Sequence, residues 1–142
     1  MTLHAVDPLA LKLQVDEALG DMVKSSVVAL GELTVVVDAA NYFQAAKILR
    51  DSPSCCFEQL IDLCGVDYST YKNEALVGLR YCVVLHLLSV SLNQRVRLKV
   101  FVPDALAPSM PSVCEIWSGA NWFEREALDL FGIVFEGHNA LR

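Results

Sequence analysis

Between Leu79 and Leu92 the chain is apolar at almost every position, on both of the faces a strand would present. Such a strand is stable only inside a sheet, with pairing on each edge and cover on both sides. The next segment supplies a partner, because Val96, Leu98, Val100 and Val102 alternate with Arg95, Arg97 and Lys99, the two-residue period of a half-buried strand. Asn93-Gln94 turns the chain between the two, so the centre of the chain reads as a long hairpin.

The flanking segments build around it. Leu11, Val15, Leu19 and Met22 recur at helical spacing and predict an amphipathic helix over 8–23, with Pro8 in the first turn after Asp7. Val27 to Leu30 and Leu33 to Val37 are β-branched runs split by Gly31-Glu32, a second hairpin. Asp38 or Asn41 then caps a helix over about 41–50 that buries Tyr42, Phe43, Ala46 and Leu49. A short helix from Cys56 to Cys64, presenting Phe57, Leu60 and Leu63, follows Pro53. After Val102 a link carrying Pro103, Pro108 and Pro111 cannot continue a strand and delivers the chain to a helical segment over 112–131. The order α, β, β, α, α, β, β, α predicts a single α+β domain over 1–142, helices packed on a mainly antiparallel sheet.

Composition narrows the function. At 54% hydrophobic residues and a mean hydropathy of +0.41, the chain is more apolar than a soluble domain of 142 residues needs. Either both sheet faces are covered or part of the apolar surface belongs to a subunit interface. No run reaches the ~20 apolar residues of a membrane helix, and the N-terminus lacks the pattern of a secretory signal, so a cytoplasmic protein is expected. The net charge is −6, and residues 1–71 hold ten acids against four bases. That balance argues against nucleic acid. The stripe Arg95, Arg97, Lys99 reads as a solvated strand face, or as a docking patch for an acidic neighbour.

Nothing in the sequence assembles a catalytic grouping. There is no nucleophile elbow, phosphate loop or dinucleotide fingerprint, and the five cysteines form no Cys-x-x-Cys pair. Cys82 and Cys114 read as small buried hydrophobes, His86 as a hydrogen-bonded core histidine, and His4 as a residue of a frayed terminus. No catalytic, cofactor-binding or metal residue is expected.

The richest segment is Asn121 to His138. It sets Glu124, Arg125, Glu126, Asp129 and Glu136 between large apolar residues, and Gly132 ends the helical pattern as a left-handed cap, with Ile133 folding back onto Leu128. Arg125 and Asp129 share a face, yet an i,i+4 pair stabilises a helix by only about 0.3–0.5 kcal/mol. A second layer of this fold, or a partner, explains the cluster better. Two readings stand for the charges: a solvated face with one internal ion pair, or a polar network buried at a subunit boundary.

The run Glu-Arg-Glu, two residues, Asp, Leu-Phe-Gly-Ile, then Phe, Glu-Gly-His, a two-residue gap and Leu-Arg resembles the signature of the C subunit of NADH:quinone oxidoreductase, respiratory complex I. Leu60 to Leu63, Val66 to Tyr68, Pro111 to Val113, Ile116-Trp117 and Ala120 to Trp122 are similar to the same family, so the resemblance covers residues 55–142. Asn139 stands where members carry proline, and members run on past Arg142 into a second arginine and an extended tail.

The resemblance implies a structural, cofactor-free member of the hydrophilic arm, with flavin and iron–sulfur clusters in partner subunits. It implies docking against the quinone-site D subunit and adjacent iron–sulfur subunits, on the cytoplasmic side of a bacterial inner membrane, with no membrane span of its own. Trp122, Glu124, Arg125, Glu126, Asp129, Gly132, His138 and Arg142 are the expected docking and signature residues. Lacking the tail, this chain is expected to fold but bind more weakly, and to self-associate at high concentration. The equivalent component of a related membrane-bound hydrogenase or of a ferredoxin or plastoquinone oxidoreductase stays open, as does a free-standing adaptor or a thiol enzyme using Cys55-Cys56.

Overall fold

A computed structural model describes residues 7–68, 80–103 and 106–137. Its elements in chain order are α1 (Pro8–Leu19), β1 (Val23–Ala29), β2 (Glu32–Asp38), α2 (Ala39–Asp51), β3 (Gln59–Asp67), β4 (Tyr81–Ser89), β5 (Gln94–Phe101), β6 (Ser109–Pro111), α3 (Ala120–Phe131) and β7 (Val134–Glu136). Five strands make one sheet in the order β1-β2-β5-β4-β3, and β6 pairs with β7 in a small second sheet. Within the larger sheet only β2 and β5 run parallel. The α+β class holds.

β4 is the inner strand its composition demands, paired on both edges and buried at most positions. One row shows how the core is laid: Val35, Leu98, Leu85 and Leu63 are register partners across β2, β5, β4 and β3, and all four are buried. In the next row Val37, Val100 and Val83 are followed by Gly65. A methyl group at Gly65 would lie 2.7 Å from the Phe131 ring and 3.4 Å from Ile133, so a missing side chain lets the end of α3 settle on β3. Leu11, Val15 and Leu19 of α1, Tyr42, Ala45, Ala46 and Leu49 of α2, and Ala120 and Ala127 of α3 join the same core.

Local signals explain most of the elements. Asp7 accepts the Leu9 N–H at 3.1 Å and Pro8 opens α1. The β1–β2 turn is Leu30-Gly31, both at positive φ as a tight hairpin requires. Asp38 occupies the N-cap position of α2 without a side-chain capping bond. The β4–β5 turn spans 90–93, and Gln94 already belongs to β5, its buried amide donating to the carbonyls of Ser54 and Cys55.

Five expectations fail. Residues 56–64 form no helix; Gln59–Asp67 is strand β3, paired antiparallel with β4. A bulge between Leu60 and Asp62 puts Leu60 and Leu63 on the same side at a three-residue spacing, which imitates a helical period. Cys56 at φ 48 cannot carry a helix onward, and the Glu58 carboxylate accepts from the Val90 and Ser91 N–H groups, holding the segment against the β4–β5 turn.

The expected helix over 112–131 begins only at Ala120, because Ser112 to Cys114 are bound elsewhere, and the proline-rich link contains β6, which ends at Pro111. His86 is part-exposed on the sheet face opposite the core, between its register partners Asp62 and Arg97, and not within the core. Cys82 is fully buried as expected, whereas Cys114 is only part-buried.

Candidate docking site

α3 starts on a fixed platform. Ile116 and Trp117 donate their N–H groups to Val113 O, the Arg50 guanidinium donates to Ile116 O at 3.2 Å, and the Trp117 indole donates to Phe57 O at 3.0 Å. Its end is the left-handed Gly132 at φ 71, whose N–H closes on Leu128 O at 2.8 Å. That is the αL termination expected of this glycine. Ile133 is fully buried beyond it.

The two faces of α3 reverse a simple hydropathy reading. Ala120, Glu124 and Ala127 are its buried residues, while Trp122 is 66% and Leu130 74% exposed. The two alanines let the helix approach the core closely around Glu124, a carboxylate with no exposure.

A buried charge must be matched by donors, and the segment before the helix supplies them. Ser112 Oγ donates to Glu124 Oε1 at 2.7 Å, the Val113 N–H to Oε2 at 2.9 Å, and the Cys114 thiol to Oε1 at 3.3 Å. The Cys114 N–H in turn donates to Ser112 Oγ at 3.1 Å. Burial pushes the Cys114 thiol up to about 11, with the neighbouring Glu124 charge adding to the rise. Burial also raises the Tyr42 phenol well above its ordinary range, again with help from Glu124 and Cys114. The Tyr42 hydroxyl, fully enclosed, makes no hydrogen bond.

The outward face is built differently. Asn121, Trp122, Arg125, Glu126 and Asp129 line an open groove of about 560 Å³. Arg125 Nε stands 3.9 Å from Asp129 Oδ2, both side chains more than half exposed. The structure therefore divides the expected site residues. Glu124 is an internal anchor, Gly132 a helix terminator, and Trp122, Arg125, Glu126 and Asp129 share one solvent-facing groove. His138 and Arg142 lie outside the described residues, as does His4.

Other candidates are absorbed by the fold. Arg97 pairs with Glu32 at 2.6 Å and reaches Thr34 at 3.2 Å, and the Lys99 ammonium sits over the Tyr68 and Phe101 rings. Cys55 is buried and its thiol is pushed up by that burial, the wrong environment for a nucleophile. Among the described residues no three His, Cys, Asp or Glu side chains gather as a metal site, and no helix is long and apolar enough to cross a membrane. Sequence reasoning misses Ser112, Glu58 and Gln94, whose partners lie too far along the chain for any local pattern to mark them.

The fold is one already seen in solved structures. A trypsin-resistant fragment of Nqo5 superposes with a TM-score of 0.73 at 32% identity, covering 90% of this chain and 96% of that one. A chain of the membrane-bound sulfane sulfur reductase, an archaeal respiratory membrane complex, gives 0.75 at 24% identity over 92% of this chain and 71% of that one, a likeness of fold alone. The NADH-quinone oxidoreductase C subunit of Albidiferax ferrireducens is 70% identical, and that of Verminephrobacter eiseniae 58%, each over all of this chain and 70% of the relative's length. Residues 35–142 match the family described as the respiratory-chain NADH dehydrogenase 30 kDa subunit, and the chain belongs to that family.

Proposed function

We propose that this chain is a cofactor-free scaffold within the peripheral arm of NADH:quinone oxidoreductase, holding the quinone-site subunit and adjacent iron–sulfur subunits in place on the cytoplasmic side of a bacterial inner membrane. The enzyme to which it belongs oxidises NADH and reduces quinone. In this reading flavin and iron–sulfur clusters belong to its neighbours, and this chain maintains geometry.

The observation that carries the reading is the division of α3. Its charged anchor is satisfied internally, yet a tryptophan and three charged side chains remain presented to solvent on a helix held at both ends. Exposed aromatic side chains set among charges are characteristic of protein interfaces. The proton-retaining thiols of buried Cys55 and part-buried Cys114 support a role without thiol chemistry.

The test is purification of the tagged chain from detergent-solubilised membranes of its own host. Recovery of a multi-subunit, NADH-oxidising complex is the expected result, with crosslinks from α3 to the quinone-site subunit. Recovery of the bare chain, or crosslinks that avoid α3, overturns the proposal.

A further inference from the structure

We propose that the outward groove of α3 receives the guanidinium of an arginine from a neighbouring subunit, stacked on Trp122 and paired with Glu126 and Asp129. This rests on the docking role proposed above and specifies the chemistry of what docks.

The groove has a face and two charges. Trp122 supplies the aromatic surface most favourable to a cation, and at 66% exposure it is open to one. Glu126 stands one turn further along the same face and has no partner among the described residues. Among the described residues Asp129 is engaged only by Arg125, at the long distance of 3.9 Å. Two carboxylates against one guanidinium leave the groove with a net negative charge. That polarity repels nucleic acid and anionic lipid headgroups, whose recognition requires clustered bases.

Shape then selects among cations. A guanidinium is planar, stacks on an indole and presents a fork that serves a carboxylate with two hydrogen bonds, whereas an ammonium is a strongly hydrated point charge. Leu130, 74% exposed and one turn beyond Glu126, extends the same stripe. It offers apolar contact to the aliphatic stem by which an arginine reaches its partner.

The test uses the intact complex carrying tagged chain, either wild type, the pair Glu126→Gln with Asp129→Asn, or Trp122→Leu. All three positions are exposed, and thermal melts establish that each variant folds. The expected result is that the charge-neutral pair leaves the complex at lower salt than wild type, with about tenfold weaker retention, and that Trp122→Leu weakens retention with less dependence on salt. A second readout is Trp122 fluorescence of the isolated chain titrated with arginine-rich or lysine-rich peptides of equal charge. The arginine peptide is expected to change the emission at lower concentration, and Trp122→Leu to abolish the response.

Wild type and the charge-neutral pair leaving at the same salt would overturn the inference while leaving the docking role intact, as would equal responses to both peptides. Wild-type chain recovered free of any complex would remove the docking role itself.

Discussion

Tyr42 and Glu124 sit in the same interior and meet opposite fates. The Glu124 carboxylate is met by three donors, whereas the Tyr42 hydroxyl is enclosed and unbonded. Opposite responses to conservative substitution follow. Glu124→Gln replaces one acceptor oxygen with an N–H₂ that meets either the Val113 N–H, which can only donate, or the Ser112 hydroxyl and Cys114 thiol, which would have to turn and accept; it should lower stability by about 1–3 kcal/mol in a urea titration. Tyr42→Phe removes a group that makes no bond and should leave the midpoint unchanged or higher.

Cys114 gives the pair a pH signature. Its thiol titrates at about 11 in the native protein against an ordinary 9.0. The native state therefore holds this proton more tightly than the unfolded chain does. The resulting stabilisation is complete below pH 9 and is lost as the pH climbs towards 11. Thermal midpoints should fall across that window, and Cys114→Ser, which keeps a donor for Glu124 but does not titrate there, should make the fall shallower.

β3 is the element where packing and sequence pattern part company. Its strand character rests on pairing with β4, on the bulge at Leu60/Asp62 and on Gly65 beneath Phe131. Gly65→Ala should lower stability by about 1–3 kcal/mol through overpacking, measured by thermal melting. Phe131→Leu in the same chain should recover part of that loss, because it removes the ring atoms that the new methyl would meet.

The elements readable in advance are those whose signal is local: the Asp7-Pro8 start of α1, the β1–β2 turn at Gly31, the two-sided apolar β4 and the alternating β5. Those that are not readable depend on distant partners. The segment before α3 is set by a carboxylate on the helix that follows it, and β6 and β7 are three residues each, too short to show a period. The charged run itself stands out in the sequence, but the division of its faces does not. Trp122 and Leu130 suggest an inward stripe, and only the donors of Ser112, Val113 and Cys114 bring Glu124 inward in their stead.

Across the molecule, stability and assembly are carried by different surfaces of one helix. The charge-neutral pair at Glu126 and Asp129 should melt within about 0.5 kcal/mol of wild type, as surface substitutions do, while its incorporation into the complex falls. Glu124→Gln should lower both, since it acts on the fold first. Quantifying total chain beside assembled chain in the host separates the two classes.

The pairing of β2 with β5 has a consequence for how the protein is made. β2 is complete once Asp38 has been synthesised, but the strand that covers its inner edge ends at Phe101. Until then a nascent chain carries α1, the first hairpin and α2 with Leu33, Val35 and Val37 beside an unpaired strand edge, a surface prone to wrong pairing. Ribosomes paused between β2 and β5 are therefore expected to hold an aggregation-prone intermediate, and chaperones that bind extended apolar segments to engage this chain during that interval.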